Sequence, residues 1–247
     1  MLFSCENISK YYNGAAVVKD INLNLPEKSS VSLLGPSGTG KTTVFNILAG
    51  VSVPDGGSVR LRGENITGKA GYVSYMPQND LLMPYRTVLD NIILPLIIGG
   101  QSKKEAREYA GDFLPKFGLA DCAHKYPRQI SGGMKQRAAL LRTFFMDKPV
   151  ILLDEPFSAL DVITKIHMHK WFLSIAEEMG LSTLFITHDI DEAISLSDFV
   201  YILQGSPGAV CAGFELLPRK SREKDFIASA PFAAAKKEIL NALGLGA

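Results

Sequence analysis

The segment Gly35-Pro36-Ser37-Gly38-Thr39-Gly40-Lys41-Thr42 directly follows the apolar run Val31-Ser32-Leu33-Leu34 and opens a stretch, Lys41 to Ala49, that reads as a helix. This is the pattern G-x-x-x-x-G-K-[ST], and it constrains the fold more than any other feature of the chain. Its glycines let successive backbone N–H groups point into one concavity, which suits phosphate oxygens. The helix that follows adds the positive end of its dipole. Lys41 is then placed to reach the outer phosphates of a nucleotide, and the Thr42 hydroxyl to meet a magnesium ion.

Two further apolar runs end in polar side chains. Val150-Ile151-Leu152-Leu153 leads into Asp154-Glu155, and Thr183-Leu184-Phe185-Ile186 leads into Thr187-His188. An acid at a strand end can hold Mg²⁺, and a second acid beside it can orient or deprotonate an attacking water. Alone, such a pair is better explained as two solvated carboxylates, but beside the glycine loop the functional reading is favoured. In an open α/β sheet, ligands bind beyond the carboxyl ends of the strands. If the three runs are parallel neighbours, their polar ends converge on one site.

The remaining elements are consistent with that layout. Short strands are expected at Leu2 to Ile8, Ile21 to Leu25 and Ser58 to Arg62, with turns at Asn13-Gly14 and Asp55-Gly56-Gly57. From Thr87 to Phe145 the pattern turns mostly helical. Ser102 and Glu105 form a capping box that opens a helix expected to run to Phe117. Ser131-Gly132-Gly133 starts another helix, whose apolar face is Met134, Ala138, Leu141 and Phe145. It reads either as an anion site or as an ordinary Ser-capped helix, with Lys135 and Arg142 on a solvated face. Beyond Val150, strands alternate with helices at Ile163–Met179 and Glu192–Leu196, which argues for a mostly parallel sheet.

With 26 Lys and Arg against 25 Asp and Glu, the formal charge is +1, which gives no general reason to expect nucleic-acid binding. Three scattered cysteines form neither a disulfide framework nor a zinc pattern. Met1 to Glu6 has no secretory character, and the longest apolar run, Ile92 to Ile98, is far short of the ~20 residues of a membrane span. His167 and His169, at i and i+2 of a helix, face apart and make a poor metal pair, and Trp171 and Phe172 are expected in the core.

The ordered set Gly35–Thr42, Gln78, Ile130-Ser131-Gly132-Gly133-Met134-Lys135-Gln136-Arg137, Asp154-Glu155, Ser158-Ala159-Leu160-Asp161 and His188 resembles the ATP-binding cassette (ABC) ATPases over residues 2–205. The resemblance implies an α/β fold: a phosphate-loop NTPase (RecA-like) core with an N-terminal antiparallel β subdomain and an inserted helical subdomain. Residues 1–247 would form one nucleotide-binding domain, with the helical insertion at about 79–145 and a C-terminal extension at about 206–247. It implies ATP and Mg²⁺ as ligands. Gly35, Pro36, Ser37, Gly38, Thr39, Gly40, Lys41, Thr42 and Thr43 would cradle the phosphates, and Tyr12, or its neighbour Tyr11, would stack on adenine. Thr42, Gln78 and Asp154 would attend Mg²⁺. Glu155 would act as general base, Gln78 would sense the attacking water, Lys41 would reach the β- and γ-phosphates, and His188 would contact the γ-phosphate. Ser131, Gly132, Gly133 and Asp161 would meet the nucleotide of a second ATPase subunit, so two chains would sandwich two ATP molecules.

The wording of Leu82-Met83-Pro84-Tyr85-Arg86-Thr87-Val88 and of the signature is most similar to bacterial importers of the nitrate, sulfonate, taurine and thiamine-precursor group, although Tyr85 stands where Trp is usual and Ile130 where Leu is. The resemblance implies a peripheral subunit on the cytoplasmic face of the membrane, two permease subunits, and indirectly a solute-binding protein. Leu81, Leu82, Met83 and Tyr85 would line the permease groove, or else be core. Exporter or regulatory-complex ATPases are the alternative, and a soluble ATPase acting on DNA or ribosomes is a third reading, which lacks the insertions and basic linkers it would need. The helix at Ala233–Leu243 is expected to dock back on the catalytic domain, a dimer or permease contact being the alternative.

Overall fold

The computed structural model describes residues 1–222 and 226–245. The chain opens with a hairpin of β1 (Phe3–Tyr12) and β2 (Ala15–Leu25), longer than the expected strands. Its turn is Asn13-Gly14, with φ of 51° and 79°, the left-handed pair that a two-residue hairpin needs. A buried parallel strand, β3 (Ser30–Leu34), then feeds the glycine loop and α1 (Lys41–Leu48). Next come β4 (Gly56–Leu61), β5 (Glu64–Asn65) and β6 (Ser74–Met76).

Residues 88–144 hold only helical elements: α2 (Val88–Ile92), α3 (Leu94–Ile98), α4 (Lys103–Gly111), two single 3₁₀ turns and α5 (Gly132–Phe144). The expected capping box is formed, since Ser102 Oγ accepts from Glu105 N–H and Glu105 Oε2 accepts from Ser102 N–H. The helix nevertheless stops at Gly111 rather than Phe117. Pro115 has no N–H for the Gly111 carbonyl and so ends the helix, and the chain continues in turns with Leu114 and Phe117 still buried.

The rest alternates: β7 (Val150–Asp154), α6 (Val162–Glu178), β8 (Ser182–Thr187), α7 (Ile190–Leu196), β9 (Phe199–Gln204), β10 (Ala209–Glu215) and α8 (Ala230–Ala242). Two sheets result. The first, in order β2-β1-β4-β5, is antiparallel. The second, in order β10-β9-β3-β8-β7-β6, is parallel apart from β10. Its central strands β3, β7 and β8 are buried at every residue, which explains their unbroken apolar runs.

Three apolar clusters hold these layers. One fills the helical layer and reaches the far side of the parallel sheet through Phe157, Phe172 and Phe185. Another joins the antiparallel sheet to α1 and the opposite face. The third places α8 on α7 and β9 through Phe232 and Ile239, so this helix docks back on the core as expected. Phe172 is wholly buried and Trp171 partly so.

Arg222 clasps this C-terminal layer. Its guanidinium donates to the carbonyls of Ile194 (2.9 Å), Ser195 (2.8 Å), Ser197 and Leu217 (2.8 Å), closing the end of α7, and it lies 4.7 Å from the Phe226 ring centre. Burial pushes its pKa down to about 10. Arg222→Ala would leave several carbonyls without a donor and is expected to cost about 2–4 kcal/mol in chemical denaturation. A shift below about 0.5 kcal/mol, the scale of an ordinary surface substitution, would show the clasp to be incidental.

Candidate functional site

Register builds the site. In the parallel sheet Leu34 pairs with Thr187, and Asp154 pairs with Ile186. The residues that follow, Gly35, His188 and Glu155, therefore leave the sheet at nearly one level. On the next strand Met76 pairs with Leu153, which brings Gln78 to the same edge. The convergence expected from the three apolar runs is observed, with β6 as a fourth contributor.

The loop after β3 has the conformation its composition demands. Gly38 and Gly40 have φ of 82° and 91°, and a Cβ on Gly35 would lie 2.2 Å from the Leu203 carbonyl oxygen. Thr39 Oγ1 donates to the Pro36 carbonyl (2.9 Å). Lys41 is buried and its Nζ donates to the carbonyls of Gly35 (2.8 Å) and Pro36 (2.7 Å). Burial lowers its pKa, opposed by the charges of Glu155 and Asp154. Pro36, Ser37 and Gly38 are exposed at the mouth of the loop, and Thr43 is half-buried on α1.

Thr42 Oγ1 donates to Asp154 Oδ2 at 2.9 Å. Asp154 is almost fully buried, and desolvation raises its pKa although the Thr42 bond works the other way. This donor set fits Mg²⁺. Both groups offer hard oxygens, and a cation would relieve the buried carboxylate. Among the described residues no cluster of three or more His, Cys, Asp or Glu could hold a metal. A magnesium ion would therefore draw its other ligands from phosphate and water, its usual preference.

Glu155 lies between His188 and Gln78. Its Oε1 is 3.2 Å from His188 Nδ1, and its Oε2 accepts from Gln78 Nε2 at 3.3 Å. The backbone at Glu155 is left-handed, with φ of 50°, a conformation uncommon for a residue with a side chain. Its N–H donates to the Ile186 carbonyl (3.1 Å), which ties the loop to β8.

Other predicted residues lie apart from this cluster. Ser131 caps α5 by accepting from Met134 N–H at 3.3 Å, so its hydroxyl does what a Ser cap requires. Among the described residues no hydrogen bond links Ser131, Gly132 or Gly133 to the glycine loop of the same chain. The nearest neighbour of a Cβ on Gly133 is Leu160, at 3.0 Å. Asp161 caps α6, with Oδ1 accepting from Thr164 N–H at 3.0 Å, and these bonds hold its carboxyl below the usual range. Tyr11 and Tyr12 are both exposed at the end of β1. Tyr11 N–H donates to Asp55 Oδ2 (2.7 Å), and Lys10 Nζ lies 5.5 Å from the Tyr12 ring centre.

Two expectations need correction. Leu82 does not line a surface groove: it is 8% exposed and belongs to the helical core. Leu81 and Tyr85 are exposed, at 63% and 77%, and Met83 is half-buried. The Asp80 side chain turns the chain there, Oδ1 accepting from Leu82 N–H, so that Leu81 projects outward and Leu82 inward. Arg142 is not on a solvated face either. It donates to the carbonyls of Leu81 (2.9 Å) and Asp80 (2.6 Å) and so fixes this turn to α5. Burial lowers its pKa.

Two polar anchors were not foreseen. Lys165 pairs with Asp189 (3.0 Å) and with buried Glu192 (3.2 Å), joining the start of α6 to the turn after His188. Burial pushes the Glu192 carboxyl up to about 7. His169, beside them, packs on the Phe157 ring, and burial lowers its pKa to about 4. The other anchor is Gln136, buried beneath the Glu155 loop. The sequence signal for both was a polar residue recurring among the apolar positions of a helix.

Comparison with known proteins agrees with this geometry. The family model described as "ABC transporter" matches residues 18–158. The formylaminopyrimidine import ATP-binding protein of Halalkalibacterium halodurans is 40% identical over 83% of this chain and 81% of its own length. The nitrate import ATP-binding protein of Synechocystis is 37% identical over 78% of this chain and 73% of its own. Among solved structures, the dimeric, post-hydrolysis cassette MJ0796 bound to ADP and Pi superposes with a TM-score of 0.79 at 31% identity, covering 87% of this chain and 98% of that one. Together, the glycine loop, the buried acid at its side, the match to the family model and these relatives show that the chain belongs to the ABC transporter family, as one of its ATP-hydrolysing, ATP-binding subunits.

Proposed function

We propose that this subunit powers a membrane importer of a small solute, in the manner of the nitrate and formylaminopyrimidine import proteins it is similar to. The observation that carries the catalytic half of this reading is the placement of Glu155, directed at the site by its left-handed backbone and flanked by Gln78 and His188. In this reading residues 35–43, through the backbone N–H groups of all but Pro36, and the Lys41 ammonium bind the phosphates of ATP, and Tyr12 stacks on adenine. Thr42 and Asp154, with Gln78, hold Mg²⁺, which when bound neutralises charge on the β- and γ-phosphates. Glu155 takes a proton from the attacking water, Gln78 orients that water, and His188 contacts the γ-phosphate.

Ser131, Gly132, Gly133 and Asp161 act in trans on this account. The lack of any hydrogen bond, among the described residues, from these four to the glycine loop of their own chain is in keeping with that assignment, as is the dimeric state of MJ0796. ATP would draw two copies together, and loss of the γ-phosphate would loosen them. A ligand shifts such an equilibrium only through its differential affinity for the two states, and the γ-phosphate contacts would supply it. The exposed Leu81 and Tyr85, with Met83 beside them, give the surface that a permease subunit would cover. No described helix is long and apolar enough to cross a membrane. In this reading the membrane-spanning subunits are separate chains.

Glu155→Gln should retain ATP binding, lower hydrolysis by about 10²-fold or more, and accumulate an ATP-bound dimer on gel filtration. Turnover within a few-fold of the unmodified protein would remove Glu155 as the base. Tyr85→Asp should leave nucleotide affinity unchanged and weaken assembly with the membrane subunits by about tenfold or more, as truncating an interface anchor does. Unchanged assembly would place the docking surface elsewhere.

A further inference from the structure

Gln136 lies in the second turn of α5 and is 5% exposed. A buried carboxamide needs partners, and this one has three from a single loop. Its Nε2 donates to the Glu155 carbonyl (2.9 Å) and to Ser158 Oγ (3.3 Å), while its Oε1 accepts from Ala159 N–H (3.0 Å). The donor and acceptor ends are thus distinguished, since reversing the amide would set oxygen against the Glu155 carbonyl. Ser158 Oγ donates to the same carbonyl at 3.0 Å.

The Glu155 peptide is therefore held on both sides. Its N–H is fixed by β8 through Ile186, and its carbonyl is fixed by α5 through Gln136. Residues in a left-handed conformation persist only where the surroundings over-determine them. The direction of the Glu155 carboxylate follows from that backbone. The far end of α5 carries Arg142, which grips the Asp80 and Leu81 carbonyls. Six residues of helix, about 9 Å, separate the two grips.

We infer that Gln136 is a positioning residue for Glu155, which ties the aim of its carboxylate to the orientation of α5 and hence to the exposed turn at Leu81. It touches neither nucleotide nor water in this account. The inference rests on the proposed role of Glu155 as general base, but the geometric part stands without it.

The test uses the purified full-length chain with Gln136→Met, which keeps the shape and removes the hydrogen bonds. MgATP hydrolysis should show kcat lowered about tenfold or more with KM within about threefold, and a thermal midpoint close to that of the unmodified protein. Imidazole NMR supplies a readout that packing alone would not move. The His188 signal, 3.2 Å from Glu155, should shift, while those of exposed His124 and His167 stay in place. An unchanged kcat with an unmoved His188 signal would overturn the inference. So would a fall in kcat matched by lost nucleotide binding and a lower thermal midpoint, which marks a structural role only. Should Gln136→Met destabilise the chain, Gln136→Glu is the second variant. Once ionised it keeps the acceptor for Ala159 but cannot donate to Glu155, so kcat must fall and the His188 signal must shift as the introduced carboxyl loses its proton with rising pH. Retained turnover in Glu155→Gln alongside a shifted His188 signal in Gln136→Met would defeat the general-base reading and leave the positioning intact.

Discussion

The molecule depends on the parallel pairing of β3, β8 and β7. Their register puts Leu34 beside Thr187 and Ile186 beside Asp154, so the glycine loop, the acid pair and the histidine emerge at one edge. A slip by one residue would turn the side chains of these strands to the opposite face and displace the acid pair from the loop. The slip is resisted because all three strands are buried throughout, each packed on both faces by apolar clusters. Sheet packing and phosphate chemistry are thus one constraint. The same apolar residues that make the core also set the distance between Thr42 and Asp154.

Around that edge, polar side chains convert a shared level into a defined site. The strain at Glu155 is local, and its surroundings hold it from two directions. Lys165, Asp189 and Glu192 perform a similar service behind His188, joining α6 to α7. Such buried networks specify one arrangement only when their members are satisfied, and here Gln136, Lys165, Asp189 and Glu192 each have partners.

Much of this was legible in the sequence. The glycine loop, the two other strand ends, the Ser102–Glu105 box and the Asn13-Gly14 turn are each short-range signals whose physics lies in adjacent residues. The misreadings were of another kind. Leu82 and Arg142 depend on a turn set by the Asp80 side chain and on a helix end some sixty residues away in the chain, which no local periodicity records. The helix at Lys103, by contrast, ends early for a local reason that was overlooked: Pro115 has no N–H to donate to the Gly111 carbonyl, and its ring disfavours helical backbone before it. Gln136 was visible as part of a motif, but its partners at Glu155, Ser158 and Ala159 appear only in three dimensions.

The central claim is that ATP hydrolysis at this edge serves transport. It is tested most directly by isolating the chain at its natural level from gently solubilised membranes and identifying what accompanies it. Two multi-span proteins in fixed ratio to this chain, with a solute-binding protein bound to them or encoded beside them, are the predicted result. Recovery solely in the soluble fraction, with ribosomes or nucleic acid, would leave the ATPase in place and contradict its purpose.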